Sequence, residues 1–195
     1  MKKIAITGNI GSGKTTISNI LLKAGYKVFQ CDKEISNLYL VKNLKNEIKG
    51  TFENKVKNLL FKNGRINKIA LSDYVFSSSM QLRRLEKIIY YYLEITKKDF
   101  LAKNKKKKLL FFDIPLLFEK KLEDEYDFII YLFLNKENQK KRVLKRKNMS
   151  EDKLKKILKN QKDFSKSEKI SLLIDANKKK VEVKQTLLEF IKKLR

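Results

Sequence analysis

Short, mostly apolar runs alternate with longer amphipathic stretches along the chain. The runs lie at residues 3–7, 26–32, 109–113, 128–134 and 172–174. Their length predicts buried strands, and strands that are apolar on both sides are typical of a parallel sheet covered by helices on each face. A glycine-rich turn at residues 8–13 follows the first run. A helical face comes next, and it consists of Ile17, Ile20, Leu21 and Ala24.

The rest of the pattern is helical. No strand-like run interrupts residues 33–102, and a long helical periodicity extends from Gln81 to Phe100. Residues 136–162 form a polar helical stretch with Ser150 as a predicted N-cap, and residues 181–194 are amphipathic. The whole pattern predicts an α/β fold with a helical insertion after the second strand.

The composition excludes several kinds of chemistry. The 195 residues contain no histidine and one cysteine, Cys31, so a histidine base, a zinc cage and an internal disulfide are all excluded. The net charge of +25 fits a polyanionic partner, but only six of the 47 basic residues are arginine. We therefore expect no nucleic-acid site. No apolar run approaches the ~20 residues that cross a bilayer, and we expect a cytoplasmic protein without a membrane partner.

One motif carries specific chemistry. The eight residues from Gly8 to Thr15 match G-x-x-x-x-G-K-[S/T] in full, with a predicted strand before them and a predicted helix after them. A loop of this type surrounds a phosphate with backbone N–H groups, to which the helix adds its positive end. Lys14 should reach the β- and γ-phosphates, and the Thr15 hydroxyl should ligate Mg²⁺. The motif predicts binding of a nucleoside triphosphate, whatever the reaction.

Two carboxylates and two guanidinium groups are candidates for the chemistry. Asp32 and Asp113 end predicted strands, where ligands bind in open parallel sheets, so that one could assist Mg²⁺ and the other could accept a proton from a hydroxyl. The alternative is that each aspartate caps a helix. Arg142 and Arg146 lie four residues apart on one face of a predicted helix. They suit a transferring phosphoryl group, although two surface charges would have the same spacing.

The order of the motifs resembles the dephospho-coenzyme A kinase family over the whole chain. Four stretches carry the resemblance: residues 6–16 (ITGNIGSGKTT), 28–32 (VFQCD), 113–119 (DIPLLFE), and 142–146 (RVLKR) with the later Gln161. The chain departs from the family pattern at Asn9 for a glycine, Gln30 for an aspartate and Tyr90-Tyr91 for a His-Pro pair. The family's A-D-x-V-I-x-N pattern is also only partly kept at residues 171–177 (SLLIDAN).

The resemblance implies ATP-dependent phosphorylation of the ribose 3′-hydroxyl of dephospho-CoA. Asp32 would be the base, and the Mg²⁺ ligands would be Thr15 and Asp113. The implied nucleotide contacts are Gly8, Asn9, Ile10, Gly11, Ser12, Gly13, Lys14, Thr15, Thr16 and, near the adenine, Asn177. The implied acceptor contacts are Asp32, Arg65, Leu116 and Glu119.

The implied architecture is a monomeric single domain, residues 1–195, built on a five-stranded parallel P-loop kinase core. The core would comprise residues 1–35, 104–135 and 166–195. Residues 36–103 would be a helical acceptor-binding insertion, and residues 136–165, which contain Arg142 and Arg146, would be a helical lid over ATP.

Two other functions stay open at this point. A nucleoside or nucleotide monophosphate kinase would share the loop and the fold. A basic nucleic-acid-binding ATPase would explain the charge, although no paired-aromatic RNA platform or recognition helix is present. A guanine-reading switch protein would need an N-K-x-D motif, which residues 177–180 (NKKK) do not supply.

Overall fold

The computed structural model describes residues 1–146 and 149–195, which form two compact units. Met1–Gln30 and Asn104–Arg195 make up the first unit, and Cys31–Lys103 the second. The strands of the first unit are β1 (Lys2–Gly8), β2 (Lys27–Gln30), β3 (Leu109–Asp113), β4 (Phe128–Phe133) and β5 (Leu172–Asp175). Its helices are α1 (Lys14–Lys23), α6 (Lys136–Leu144), α7 (Glu151–Asn160) and α8 (Lys180–Leu194). The second unit contains α2 (Cys31–Leu38), α3 (Lys42–Phe52), α4 (Lys68–Phe76) and α5 (Ser79–Lys103).

The five strands form one parallel sheet in the order β2-β3-β1-β4-β5. This confirms the five-stranded parallel α/β fold. The central strand β1 is buried from Ile4 to Gly8, because strands lie on both sides of it and helices cover the sheet. Since all strands run in one direction, their carboxyl ends share one edge, and the glycine-rich loop leaves β1 at that edge.

The main core joins α1 and α8 to one face of the sheet. Alternate residues of β1, Ile4 and Ile6, point to this face because side chains in a strand alternate between its two faces. They pack with Ile17 and Leu21 of α1 and with Leu187 of α8, all fully or almost fully buried. Truncation of such a leucine to alanine typically costs about 2–5 kcal/mol. This packing fixes the start of α1 relative to the end of β1.

The second strand is shorter than the sequence pattern predicted. The run 26–32 predicted a strand ending at Asp32, but β2 ends at Gln30 and Asp32 lies in the first turn of α2. The reason is the register. Within residues 1–146 and 149–195, β2 pairs with β3 alone, and its last pair is Gln30 with Asp113, beyond which Pro115 follows β3 closely. Among these residues, those after Gln30 therefore have no strand with which to pair.

The lysine-rich stretch 136–162, predicted to be helical with an N-cap at Ser150, forms two helices. α6 ends at Leu144, and Ser150 caps α7 by accepting the N–H of Lys153, as predicted. Residues 147 and 148 of the predicted stretch lie outside the described residues. Arg146 therefore lies beyond the helix that was predicted to carry it together with Arg142.

The second unit is a cluster of four helices in which α5 contacts α2, α3 and α4. The buried residues at helical spacing in α3, Leu44, Ile48 and Phe52, form part of its core. Before α4, Asn63-Gly64 forms a turn, with Gly64 at φ 71°. None of the helices in the described part of the chain, α5 included, combines the length and the apolar character needed to cross a membrane.

Candidate active site

Two glycines of the phosphate loop, Gly8 and Gly11, stand where a side chain would collide with neighbouring elements. Gly8 ends β1 at φ 140°, and a Cβ there would overlap the backbone carbonyl of Leu132 in β4. Gly11 has φ 83°, and its Cβ would lie 2.9 Å from Cγ2 of Val143 in α6. Both positions thus require glycine for two reasons, the positive φ and the close approach of another chain segment.

The loop is closed by its own hydrogen bonds. The Ser12 N–H donates to the Asn9 carbonyl at 3.1 Å, and the Gly13 carbonyl accepts the N–H of Thr16 at 2.9 Å as α1 begins. The Lys14 ammonium donates to the Gly8 carbonyl at 2.6 Å and to the Asn9 carbonyl at 3.4 Å. The lysine side chain therefore folds back on the loop, with its charge against the carbonyls of Gly8 and Asn9.

A basic cavity of about 410 Å³ opens beside the loop. The loop and α1 line it with Gly11, Ser12, Gly13 and Thr16, and its four basic lining residues are Arg142, Arg146, Lys178 and Lys180. Although Arg146 lies outside α6, the structure brings it to the same cavity as Arg142. Arg142 is held in place because its Nη2 donates to the Ala176 carbonyl at 2.7 Å. A cavity of this charge beside a glycine-rich loop and the start of a helix suits a polyphosphate.

Asn177 lies in the loop between β5 and α8 that borders this cavity. Its side-chain Oδ1 accepts from Asn138 Nδ2 at 2.9 Å, and its Nδ2 donates to Asp175 Oδ1 at 2.6 Å. The side chain thus ties the loop to α6, whereas the neighbouring Ala176 and Lys178 line the cavity. Its contact with the adenine stays a prediction.

Asp113 ends β3 as predicted and lies against α1. Its Oδ2 accepts the hydroxyl hydrogen of the buried Ser18 at 2.8 Å, one helical turn after Thr15. The Thr15 side chain is exposed at the start of α1. A hydroxyl and a carboxylate are the hard oxygen ligands that Mg²⁺ prefers. Within residues 1–146 and 149–195, no three His, Cys, Asp or Glu side chains are grouped as a metal cage. This donor set fits a magnesium ion that takes its other ligands from phosphates and water.

The predicted acceptor contacts lie in different parts of the chain. Leu116 is exposed and Glu119 half-buried after β3, where the adjacent Leu117 and Phe118 are buried and anchor the segment. Arg65 belongs to the second unit, in the turn where its carbonyl accepts the Phe61 N–H. The roles of Leu116, Glu119 and Arg65 stay predictions.

Three polar residues beside the loop were not picked out as site residues from the sequence. Gln139 and Gln161 hydrogen-bond to the backbone of Ile10. The buried Tyr131 donates its hydroxyl hydrogen to Asn9 Oδ1 at 2.9 Å. Burial raises the pKa of Tyr131 to about 12. Gln161 was noted only as part of a family motif, and the other two gave no local signal because their partners lie more than 100 residues away in sequence.

The fold and the site together define a nucleoside-triphosphate-binding protein of the P-loop class: a parallel sheet carries a phosphate loop at its carboxyl edge, with a basic cavity beside it. The family model for dephospho-CoA kinase matches residues 2–182. The dephospho-CoA kinase of Bartonella quintana is 34% identical over 197 aligned positions, which cover 100% of this chain and 98% of that protein. The chain belongs to the dephospho-CoA kinase family, whose reaction is the final step of coenzyme A synthesis.

Solved structures agree with this fold. The structure of TT1252 from Thermus thermophilus superposes with a TM-score of 0.84 at 27% identity, covering 97% of this chain and 95% of that one. The dephospho-CoA kinase from Campylobacter jejuni has a TM-score of 0.74 at 24% identity, with 98% and 96% covered. At that identity the second likeness supports the fold alone.

Proposed function

We propose that this chain transfers the γ-phosphoryl group of ATP to the ribose 3′-hydroxyl of dephospho-CoA. The observation that carries the proposal is the phosphate loop, with the Lys14 ammonium on its Gly8 carbonyl and the basic cavity beside it. The family supplies the acceptor, which the cavity alone does not specify.

The triphosphate would bind in the loop, with its charge opposite Lys14 and the arginines. On binding, the Lys14 ammonium would exchange the carbonyls of Gly8 and Asn9 for phosphate oxygens. This exchange is favourable because the ammonium then faces an anionic oxygen, which attracts it more strongly than the partial charge of a carbonyl does. Arg142 and Arg146 would neutralise charge as it spreads over the transferring group.

The Thr15 hydroxyl and the Asp113 carboxylate would hold Mg²⁺. When bound, the ion neutralises charge on the β- and γ-phosphates. The Ser18 hydroxyl keeps the Asp113 carboxylate in a fixed orientation, because it donates to one of the two carboxylate oxygens.

Asp32 would accept the proton of the 3′-hydroxyl. A bond then forms between the 3′-oxygen and the γ-phosphorus, the bond from that phosphorus to the β,γ-bridging oxygen breaks, and ADP leaves with the electron pair. Asp32 lies two residues after the end of β2, and its side chain is exposed at the start of α2. It is therefore free to approach an acceptor without first being released from the core.

An acceptor panel tests the proposal. Purified protein with Mg-ATP is given dephospho-CoA, a nucleoside, a nucleoside monophosphate or buffer, and ADP release is followed with and without added RNA. We expect rapid ADP release with dephospho-CoA alone and no stimulation by RNA. Release with dephospho-CoA no faster than with buffer would contradict the proposal, and preference for a monophosphate would favour the nucleotide kinase instead.

A variant pair tests the base. Asp32→Asn should lose about 100-fold or more in turnover while ATP affinity changes little, because the residue acts on the acceptor hydroxyl. The matched control is Asp73→Asn, at an exposed aspartate on α4 of the same unit, which should retain full turnover. Near-normal turnover of Asp32→Asn would show that another group takes the proton.

A further inference from the structure

Two glutamine side chains hold the middle of the phosphate loop from the C-terminal half of the chain. Gln161, directly after α7, accepts the Ile10 N–H on its Oε1 at 3.0 Å. Gln139, in α6 and only 3% exposed, donates from its Nε2 to the Ile10 carbonyl at 3.0 Å. The N–H and the carbonyl of Ile10 are thus both hydrogen-bonded to side chains, and these two bonds attach the middle of the loop to the C-terminal half of the chain.

The bond from Gln139 determines where the next amide points. The Ile10 carbonyl and the Gly11 N–H belong to one trans peptide, in which the C=O and the N–H point in opposite directions. Since the carbonyl is turned to Gln139, the Gly11 N–H is turned away from it. Gly11 lines the basic cavity, and Gln139 does not.

The bond to Gln161 acts in the same way on the preceding peptide. There the Ile10 N–H is turned to Gln161, so the Asn9 carbonyl points to the opposite side. That carbonyl accepts the Ser12 N–H at 3.1 Å and the Lys14 ammonium at 3.4 Å, as this orientation requires. The two glutamines therefore set the directions of two successive peptides in the loop.

Gln161 reaches the loop from an anchored segment, residues 161–164. The Phe164 N–H donates to the Tyr131 hydroxyl at 3.3 Å, and the Phe164 ring stacks on Phe118 with centroids 4.9 Å apart. Tyr131 is buried in β4 and also bonds to the Asn9 side chain. The segment that carries Gln161, and with it the Oε1 that accepts the Ile10 N–H, is thus held by contacts that do not depend on the loop backbone.

We propose that Gln139 and Gln161 are positioning residues for phosphoryl transfer, which aim the loop amides at the triphosphate before it binds. The inference rests on the function proposed above. Neither glutamine needs to touch the nucleotide. Their contribution should appear in turnover, because the transition state depends on preset donors more strictly than the bound ground state does.

The chemistry of the two bonds gives opposite requirements at the two positions. Position 161 needs an acceptor, which glutamate supplies and methionine does not. Position 139 needs a donor, which neither methionine nor an ionised glutamate supplies. Gln161→Met, Gln139→Met and Gln139→Glu should therefore lose about 10- to 100-fold in kcat, the scale of a misplaced reacting group. Gln161→Glu should stay within about fivefold of the wild type, because its carboxylate restores the bond to the Ile10 N–H.

The experiment measures kcat per nucleotide-binding site for transfer from ATP to dephospho-CoA, with the sites counted by ADP titration. ADP affinity should change by less than about threefold in all four variants, because Lys14 and the start of α1 are intact. The control is Gln185→Met, at an exposed glutamine on α8, which should match the wild type.

Three results would overturn the inference. Turnover per site within twofold of the wild type in both methionine variants would mean that the bonds do not position the loop. Equal losses in Gln161→Glu and Gln161→Met would mean that position 161 does not act as an acceptor. If the buried position 139 does not tolerate substitution, the 161 pair decides by itself. If the wild-type protein cannot phosphorylate dephospho-CoA, both the proposed function and this inference are wrong. If the wild type is active and the variants are unaffected, only this inference is wrong.

Discussion

The close approach of α6 to the phosphate loop predicts an unusually large cost for one added methyl group. In Gly11→Ala the new Cβ meets Val143 Cγ2 at 2.9 Å, and the residue must keep φ near +83°. Gly25 provides a matched control because its φ is +82° and nothing lies within 4 Å of the Cβ position. The two variants share the backbone strain, and only Gly11→Ala adds the steric overlap.

The magnitudes follow from these two terms. An L-residue in the left-handed region costs about 1–2 kcal/mol, which should be the whole effect of Gly25→Ala. Overfilling a packed site adds about 1–3 kcal/mol, so Gly11→Ala should lose about 2–5 kcal/mol of unfolding free energy. Val143→Ala removes the methyl group that the new Cβ meets, so it should relieve most of the overpacking cost of Gly11→Ala. The double mutant should therefore be about 1–3 kcal/mol more stable than the sum of the two single effects predicts.

Urea unfolding of the wild type, the three single variants and the double variant Gly11→Ala/Val143→Ala measures these values. Equal losses at Gly11 and Gly25, or no coupling between Gly11 and Val143, would refute the packing of α6 on the loop. That packing also positions Gln139 and Arg142, both of which lie in α6.

Three further predictions concern the loop and its supports. Lys14→Met should lower kcat/KM by about 100-fold or more in the ADP-release assay, because the developing phosphate charge loses its cation, and the exposed Lys23→Met control should change little. Ser18→Ala should lower the unfolding free energy by about 1–3 kcal/mol in urea unfolding, because it removes the buried donor to Asp113. Burial keeps the Tyr131 hydroxyl protonated in the folded chain, with its pKa raised from 10.0 to about 12. The stability of the wild type relative to Tyr131→Phe should thus be constant below about pH 10 and fall as the pH rises toward 12 in pH-dependent urea unfolding, and a constant difference would contradict this.

The elements that could be predicted from sequence are those with strong local patterns. The apolar runs predicted all five strands, and the motif from Gly8 to Thr15 predicted the loop and the helix after it. The structure confirms both. Asp113 could be placed at a strand end because Pro115 limits the strand locally.

The misplaced positions depended on contacts that the local pattern does not contain. β2 ends before Asp32, earlier than predicted, because β3, with which it pairs, ends at Asp113. The helix carrying Arg142 ends before Arg146, where the exposed Lys145 and Arg146 offer no apolar face to pack, and packing rather than propensity sustains most helices in proteins. Gln139 could not be found because Ile10 is 129 positions away in sequence.

The most direct test of the central claim is a crystal structure with dephospho-CoA and a non-hydrolysable ATP analogue. The account predicts that the triphosphate occupies the loop of residues 8–15, with the Lys14 ammonium moved from the Gly8 carbonyl to the β- and γ-phosphates. It also predicts that the Asp32 carboxylate lies within hydrogen-bonding distance of the ribose 3′-hydroxyl. A triphosphate bound elsewhere, or an Asp32 carboxylate turned away from that hydroxyl, would contradict it.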